Sequence, residues 1–250
     1  MEATDKGRVE ERVAMVRVVA ADAVETSAWL GKAALAPEVV AAMKMVPRHR
    51  FVPEECQVLA YANRPQRIGY GQTISQPFIV ALMSDMAAVR KGDRVLEIGT
   101  GCGYQSAMLA ELGAEVYSVE RIPQLAASAR DRLDGLGYGE AIHILAGDGA
   151  KGWPEHAPYD SIVVTATTNP AVVAELLKQL APGGRMVVPE IQEAGTGDNK
   201  GAGILGLARW LAVEPETDLC LITKDEKGVC THMRLLPVAF VPLVEGDPAD

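Results

Sequence analysis

The chain has 250 residues, which supports one domain with a large core better than two full domains. Its 48% hydrophobic and 23% charged residues are typical of a globular protein, and its apolar runs are too short to predict a transmembrane segment or a secretory signal. The net charge of −9 opposes attraction to phosphate groups, so we expect neither a nucleic-acid partner nor a membrane partner.

Two helices are predicted ahead of any strand. Proline at position 37 favours a helix that begins there and runs through residue 43. A longer helix is predicted over residues 8–25, where apolar residues recur at helical spacing: Val9, Val13, Val16, Ala20 and Val24. Together these two helices predict an N-terminal helical cap.

The segment 66–78 is predicted to be an irregular loop, because Gly69, Gly71 and Pro77 interrupt any regular pattern. Ser75 lies just before an apolar helix predicted over residues 79–86. Two interpretations of Ser75 stay open. It could cap that helix, or it could bind a carboxylate together with the free backbone amides of the helix start, where an anion is favoured.

From residue 94 onward, strands and helices alternate. Strands are predicted over 94–98, 115–119, 142–145, 161–165 and 185–188, and helices over 105–112, 124–136 and 171–180. Such βα alternation with apolar strands predicts a parallel sheet with helices on both faces. The segment Pro182-Gly183-Gly184-Arg185 is interpreted as the end of the last helix and the start of the next strand.

The C-terminal part contains a glycine-rich stretch over 191–209, which predicts a surface loop, and two apolar runs at 219–223 and 235–243. With these two runs as strands, we predict a doubly wound, mostly parallel seven-stranded sheet with an antiparallel C-terminal strand. The whole chain, 1–250, is predicted to be one domain. It divides into cap and substrate loop (1–90), cofactor-binding core (91–190), and inserted loop with C-terminal strands (191–250).

The turn after the strand at 94–98 carries the strongest functional signal. Gly99, Gly101 and Gly103 allow the backbone to turn sharply and to approach a ligand closely. A dinucleotide turn needs a further glycine where Tyr104 stands, which argues against a nicotinamide dehydrogenase. Glu97 precedes the turn, and an acidic residue followed by Gly-X-Gly-X-Gly is typical of S-adenosylmethionine (AdoMet) methyltransferases.

Two further carboxylates end neighbouring strands. Glu120 follows the second strand, where a carboxylate can accept hydrogen bonds from both ribose hydroxyls of a bound nucleoside. Asp148 lies between Gly147 and Gly149 and is suited to an adenine edge. The alternatives are a solvated strand end for Glu120 and a plain Gly-Asp-Gly turn for Asp148. Because the acidic strand ends meet at one edge of the sheet, we favour the functional interpretation.

The cysteines are scattered through the chain, at positions 56, 102, 220 and 230, with no Cys-X-X-Cys pair. Together with the four histidines they form no metal-ligand spacing. We therefore expect reduced thiols, a cytoplasmic location and no bound metal.

On these residues the chain resembles the protein-L-isoaspartate O-methyltransferase family. The Gly-Gln-Thr-Ile-Ser-Gln-Pro core of the 68–77 loop is more particular to that family than the glycine turn. The other matching blocks are 46–53 (Val-Pro-Arg-His-Arg-Phe-Val-Pro), 95–105, 118–122, 147–149, 157–160, 180–188 and 240–243.

The resemblance implies AdoMet as cofactor and methyl transfer to the α-carboxylate of L-isoaspartyl residues in damaged proteins. We expect the protein to be a monomer. The resemblance also implies Ser75 as the active-site residue and Ser75, Thr165 and Ala166 as substrate contacts. The cofactor residues it implies are Gln72, Thr73, Ile74, Glu97, Gly99, Thr100, Gly101, Gly103, Gln105, Glu120, Arg121, Asp148 and Gly149.

Two departures from the family pattern border the expected peptide groove. Val188-Pro189-Glu190-Ile191 replaces the family's Val-Pro-Val-Gly, and Thr167-Thr168-Asn169-Pro170 replaces small apolar residues. They motivate an alternative, an AdoMet-dependent carboxyl methyltransferase that acts on another peptide or small acid. A third hypothesis is an AdoMet-binding protein without catalytic activity. A damaged turn would favour it, and this turn is intact.

Overall fold

A computed structural model describes residues 8–191 and 217–246 of the chain. Its helices are α1 (Val9–Glu25), α2 (Ser27–Leu30), α3 (Pro37–Met45), α4 (Pro77–Ala87), α5 (Tyr104–Glu111), α6 (Pro123–Gly135) and α7 (Pro170–Leu177). Its strands are β1 (Gln66–Gly69), β2 (Gln72–Ile74), β3 (Arg94–Ile98), β4 (Glu115–Glu120), β5 (Ile142–Ala146), β6 (Tyr159–Val164), β7 (Leu180–Ile191), β8 (Thr217–Lys224) and β9 (Cys230–Pro237).

The main sheet has seven strands in the order β5-β4-β3-β6-β7-β8-β9, which confirms the doubly wound prediction. The first five are parallel, and β8 runs antiparallel to both β7 and β9. The chain leaves β3 in the middle of the sheet to reach β4 on one side and later β6 on the other. Ligands of such sheets bind where the strand order reverses in this way, at the carboxyl ends of the strands.

The N-terminal helical cap is present, but most of the apolar residues whose spacing predicted α1 are not the ones that form its buried face. Val9 and Val24 are about half exposed, and Ala20 is exposed as well. The buried face holds Arg12, Met15, Val16, Val19 and Ala23 instead. Both stripes have helical spacing, and packing against α3 and α4 selects the one with the larger Met15 side chain.

The segment after the cap, predicted as irregular, contains an antiparallel hairpin of β1 and β2. Its turn uses the left-handed backbone of Tyr70 and Gly71, with φ of +53° and +72°. The glycines that suggested irregularity therefore serve a tight turn. Helix α4 follows directly, begins at Pro77, and is buried along its whole length.

Two predicted strand boundaries are wrong. Strand β7 was predicted to begin at residue 185, but it begins at Leu180. Leu180 and Arg185 both pair with β6, and the residues between them bulge out of the ladder. Strand β9 begins at Cys230 and ends at Pro237, whereas the prediction was 235–243. β9 is an edge strand, and its residues 230–234 are exposed, so they carry no apolar pattern. A prediction based on apolar residues therefore missed the first half of this strand. The predicted loop beyond Ile191 lies outside the described residues.

Within the two ranges that the structure describes, no helix combines the length and the apolar character needed to cross a bilayer.

Candidate active site

A cavity opens at the carboxyl ends of β3, β4 and β6, between the β1–β2 hairpin and the segment after β9. It contains most of the residues predicted from the sequence. The predicted residues that line it are Gln72, Thr73, Ile74, Ser75, Gly99, Thr100, Gly101, Gln105, Glu120, Arg121, Gly149, Thr165 and Ala166. Three predicted site residues do not line the cavity: Glu97, Gly103 and Asp148.

The glycine turn forms the floor of this cavity. Gly99 has a φ of +92°, and a Cβ atom at this position would lie 2.4 Å from Oγ1 of Thr165. Gly101 has a φ of +55° and approaches the hairpin, since a Cβ there would lie 3.3 Å from Cδ1 of Ile68. The turn therefore needs glycine both for its backbone conformation and for close packing.

Glu120 ends β4 beside the turn, and its carboxylate is held by two backbone amides. Oε2 accepts a hydrogen bond from Gly101 N at 2.7 Å, and Oε1 accepts one from Ile122 N at 2.9 Å. Each carboxylate oxygen has a second lone pair. The arrangement fixes a buried, charged acceptor at the cavity wall that can still receive two hydroxyl groups.

Glu97 lies below the turn, not in the cavity. Its side chain is fully buried, and its Oε2 accepts hydrogen bonds from the hydroxyls of Ser106 and Ser118. Ser118 in turn lies 2.5 Å from the hydroxyl of Thr100, which lines the cavity. Burial raises the pKa of Glu97 to about 7, the two serine hydroxyls oppose the shift, and the charge of Glu120 adds to it. Glu97 thus supports the turn from beneath.

Asp148 and Gly103 also stand behind the cavity wall. The Asp148 carboxylate accepts hydrogen bonds from Ala150 N and Gly246 N, both at 3.0 Å, and so ties the end of β5 to the C-terminal segment. Gly103 packs on helix α6, where an added Cβ would lie 3.0 Å from Cδ1 of Leu133.

Ser75 is not a helix cap. The N-cap position of α4 is Gln76, which makes no side-chain capping bond, and Ser75 is half-buried at the cavity. Its carbonyl oxygen accepts a hydrogen bond of 2.7 Å from Nη2 of Arg48. Of the two interpretations of Ser75, the structure removes the cap and leaves the serine beside the glycine turn.

Arg48 belongs to the matching block 46–53, but the sequence predicted no role for it. It is fully buried, donates from Nε to the Ala60 carbonyl at 2.9 Å, and places its guanidinium 4.8 Å from the ring centre of Tyr104. Burial lowers the pKa of Arg48 and raises that of Tyr104 to about 12. Because Tyr104 lines the cavity, Arg48 connects the segment 66–77 that contains Ser75, here named the serine loop, with the glycine turn.

The segment after β9 supplies an apolar wall that the sequence did not predict. Thr167 donates from its N to the Val241 carbonyl and accepts from Leu243 N, both at 2.9 Å. The bonds attach this segment to the residues that follow β6. Two prolines, Pro237 at the end of β9 and Pro242 within the segment, were the signal in the sequence that a strand does not continue here. The wall consists of Val241, Pro242, Leu243 and Val244.

Thr165 and Ala166 follow β6 and border the cavity on the side opposite Glu120. The Thr165 hydroxyl lies 2.7 Å from the Gly99 carbonyl and 3.0 Å from that of Ile98, so it supports the turn.

Comparison with known proteins identifies the family of the chain. The model of the protein-L-isoaspartate(D-aspartate) O-methyltransferase family matches residues 31–199. The chain is 47% identical over 235 residues to protein-L-isoaspartate O-methyltransferase 2 of Syntrophobacter fumaroxidans, covering 94% of this chain and 86% of that protein. It is 58% identical over 153 residues to the Picosynechococcus protein-L-isoaspartate O-methyltransferase, covering 61% and 68%.

Solved structures share the fold at low sequence identity. A protein-L-isoaspartate O-methyltransferase structure superposes with a TM-score of 0.71 at 24% identity, over 94% of this chain and 66% of that one. A Plasmodium falciparum protein of the same description, in complex with S-adenosyl-L-homocysteine, superposes with a TM-score of 0.65 at 22% identity, covering 84% and 92%. By the family model and by its relatives, the chain belongs to the protein-L-isoaspartate(D-aspartate) O-methyltransferase family.

Proposed function

We propose that this chain methylates the α-carboxylate of L-isoaspartyl residues in damaged proteins, with AdoMet as the methyl donor. Family membership supports the reaction, as does the S-adenosyl-L-homocysteine bound in the related Plasmodium structure. The observation that carries the proposal is the position of Ser75 in one cavity with the glycine turn and Glu120. An acceptor held at the serine would face a cofactor held at the turn.

The residues of the cavity fit AdoMet. Glu120 offers unused lone pairs to a pair of ribose hydroxyls, as described above. Oε1 of Gln105 is buried and has no hydrogen-bond partner among the described residues, so it can receive a donor such as the amino group of the cofactor. The residues that we propose to touch AdoMet are Gln72, Thr73, Ile74, Gly99, Thr100, Gly101, Gln105, Glu120, Arg121 and Gly149, supported from behind by Glu97, Gly103 and Asp148.

When bound, AdoMet supplies a methyl group on a positively charged sulfur. Methyl transfer forms a carbon–oxygen bond, breaks the sulfur–carbon bond and moves no proton, because a carboxylate is already ionised at neutral pH. The protein is then required to align the two partners rather than to provide a strong base. We assign this alignment to the Ser75 hydroxyl, with Thr165 and Ala166 next to the substrate backbone.

The resulting ester leads to repair, since it collapses to a succinimide that partly reopens as normal aspartate. We propose that residues 1–250 act as one methyltransferase domain and as a monomer. The first point is supported by a core cluster in which side chains of the N-terminal helices pack with side chains of the sheet. The four free cysteines are consistent with a cytoplasmic location.

A labelled-methyl assay tests the proposal. The purified protein is incubated with methyl-labelled AdoMet and with two versions of one short peptide, one containing L-isoaspartate and one containing L-aspartate. We expect base-labile methyl ester on the isoaspartyl peptide alone. Label on neither peptide, with AdoMet binding intact by calorimetry, would shift the function to another carboxylate acceptor.

The Ser75→Ala variant tests the assigned role in the same assay. We expect turnover to fall by about 1 to 3 kcal/mol of transition-state stabilisation, the range for one hydrogen bond to a charged group. The affinity for AdoMet should stay within about twofold. Unchanged turnover would remove Ser75 from the reaction, since the structure leaves it no capping role.

A further inference from the structure

Three side chains that commonly bind transition metals meet on the C-terminal half of the sheet, outside the cavity described above. Glu190 lies on β7, Cys220 on β8 and His232 on β9. Strand register places them on one face of the sheet, because residues two apart on a strand point to the same side. Glu190 is two residues after Val188, which pairs with Cys220. Cys220 is two residues before Ile222, which pairs with His232. One ligand atom from each residue lies within 4.8 Å of the other two.

We propose that Glu190, Cys220 and His232 form a binding site for a divalent transition metal ion of the zinc type. A thiolate, an imidazole and a carboxylate form a donor set suited to Zn²⁺, whereas Mg²⁺ and Ca²⁺ prefer oxygen ligands. Three protein ligands leave one tetrahedral position for water, the pattern of an open zinc site.

The distances are close to what such an ion needs. Zinc–ligand bond lengths imply separations of roughly 3.3 to 3.6 Å between neighbouring ligand atoms. Nε2 of His232 now lies 2.8 Å from Oε2 of Glu190, a hydrogen-bonding distance. An entering ion would replace this contact, and the two side chains would open by roughly half an ångström.

Burial gives the site one closed side and one open side. Cys220 is fully buried and Glu190 is 7% exposed, while the His232 side chain is 47% exposed at the edge strand. An ion can therefore enter past His232, and the two buried ligands would shield it from behind. Because the His232 side chain is half exposed, the imidazole has room to move away from the carboxylate when an ion enters.

The thiol must lose its proton when the ion binds. The Cys220 proton is released to solvent as the metal–sulfur bond forms. No oxidant or further reactant is involved.

The site lies where a bound ion can affect the substrate side of the enzyme. Glu190 is flanked by Pro189 and Ile191, which exchange backbone hydrogen bonds of 2.9 and 3.1 Å with Thr168. Thr168 follows Thr165 and Ala166, which border the cavity. An ion would link β7, β8 and β9 at the point where the 192–216 segment departs and returns.

Titration of the full-length, tag-free protein with Zn²⁺ and with Co²⁺ tests the site. Isothermal calorimetry gives the stoichiometry for Zn²⁺, and Co²⁺ reports a bound thiolate through its charge-transfer absorption in the near ultraviolet. We expect one ion per chain, the cobalt–thiolate band, and release of about one proton. A rise in melting temperature with added Zn²⁺ should accompany binding.

Two single variants and two matched controls make the result specific. Cys220→Ser should abolish the cobalt–thiolate band, and the exposed His232→Gln, which leaves the core intact, should weaken Zn²⁺ binding by about 10- to 100-fold or more. His143→Gln removes another exposed histidine that contacts a glutamate, Glu115 at 3.1 Å, and Cys56→Ser removes another free cysteine. Both controls should bind as the unmodified protein does.

The absence of tight binding, or binding that survives His232→Gln, would overturn the proposal and leave a hydrogen-bonded cluster. A cobalt–thiolate band that is lost in Cys56→Ser but kept in Cys220→Ser would do the same. None of these readouts depends on methyl transfer, so failure of the metal site and failure of the proposed function are distinguishable.

Discussion

Glu97 and Glu120 lie on neighbouring parallel strands, and their surroundings give them different properties. Glu120 is at the tip of β4, receives two backbone amides and faces the cavity. Glu97 is inside β3, two residues before the turn, where burial dominates its titration. The Glu120 carboxylate therefore borders the cavity, whereas Glu97 is a buried support whose protonation changes near neutral pH.

The raised pKa of Glu97 predicts a pH dependence of stability. With a pKa of about 7 in the folded protein and 4.5 as the reference value, the native state holds more protons between these two values. The free energy of unfolding therefore falls as pH rises through this range, by about 2 to 3 kcal/mol. Below the range the contribution is fully present, and above it the contribution is lost.

Urea unfolding at pH 5 and pH 8 measures this effect. Glu97→Gln resembles the protonated carboxyl and should abolish this part of the pH dependence. Glu54→Gln, at an exposed position, serves as the control and should keep the slope of the unmodified protein. An identical slope in Glu97→Gln would show that another group is responsible.

At the scale of elements, the serine loop is held in position by an arginine from another part of the chain. Arg48 lies in the 3-10 helix Arg48–Phe51 and bonds to carbonyl oxygens at Ala60 and Ser75, which lie before and after the β1–β2 hairpin. Its planar guanidinium can contact both carbonyls and the Tyr104 ring at once, a geometry that a lysine ammonium does not reproduce.

We therefore expect Arg48→Lys to lower kcat/KM for an isoaspartyl peptide by about 10- to 100-fold, the cost of one or two hydrogen bonds from a charged donor. The affinity for AdoMet, measured by calorimetry, should change less, because the glycine turn is held separately by Glu120 and Glu97. Thermal unfolding shows whether the variant folds. Arg50→Lys, half-buried in the same 3-10 helix, is the matched control, and an Arg48→Lys enzyme with normal kcat/KM would contradict a positioning role.

Helix α1 shows what a pattern can and cannot predict at this scale. The spacing of its apolar residues correctly predicted a helix, because the 3.6-residue period is local. Since the helix is rich in alanine and valine, more than one stripe satisfies that period. Only contact with α3 and α4 decides that Met15 and Val19 are buried and Val24 is not.

At the scale of the whole molecule, the cavity is closed by parts of the chain that are far apart in sequence. The hairpin at 66–74 forms one wall, and residues 241–244, bound to Thr167, form another. The glycine turn between them lies on the central strand. AdoMet binding should therefore depend on residues 241–244, although none of these residues was predicted to contact the cofactor.

Removal of residues 239–250 tests this dependence. We expect the dissociation constant of AdoMet to rise by about 10- to 100-fold, because the lost aliphatic wall corresponds to about 1 to 3 kcal/mol. Removal of residues 247–250 alone leaves the wall in place and is the control. Circular dichroism should show a folded sheet in both, and full affinity in the shorter chain would contradict the assignment of the wall.

The sequence by itself determined the alternation of strands and helices, the seven strands of the main sheet, the glycine turn and the carboxylates near the ends of β3 and β4. These features depend on backbone conformation and on short-range periodicity, which neighbouring residues encode. It also placed Ser75 beside the cofactor site through the family loop, but it left the capping interpretation open.

Only the tertiary structure decided which carboxylate faces the cavity, that Ser75 does not cap α4, and that Arg48 holds the serine loop. It also brought Glu190, Cys220 and His232 together, although they come from three strands and show no ligand spacing in the sequence. The physical reason is common to all four. Each depends on the order and register of the strands and on side-chain packing between distant segments, and local sequence does not encode these contacts.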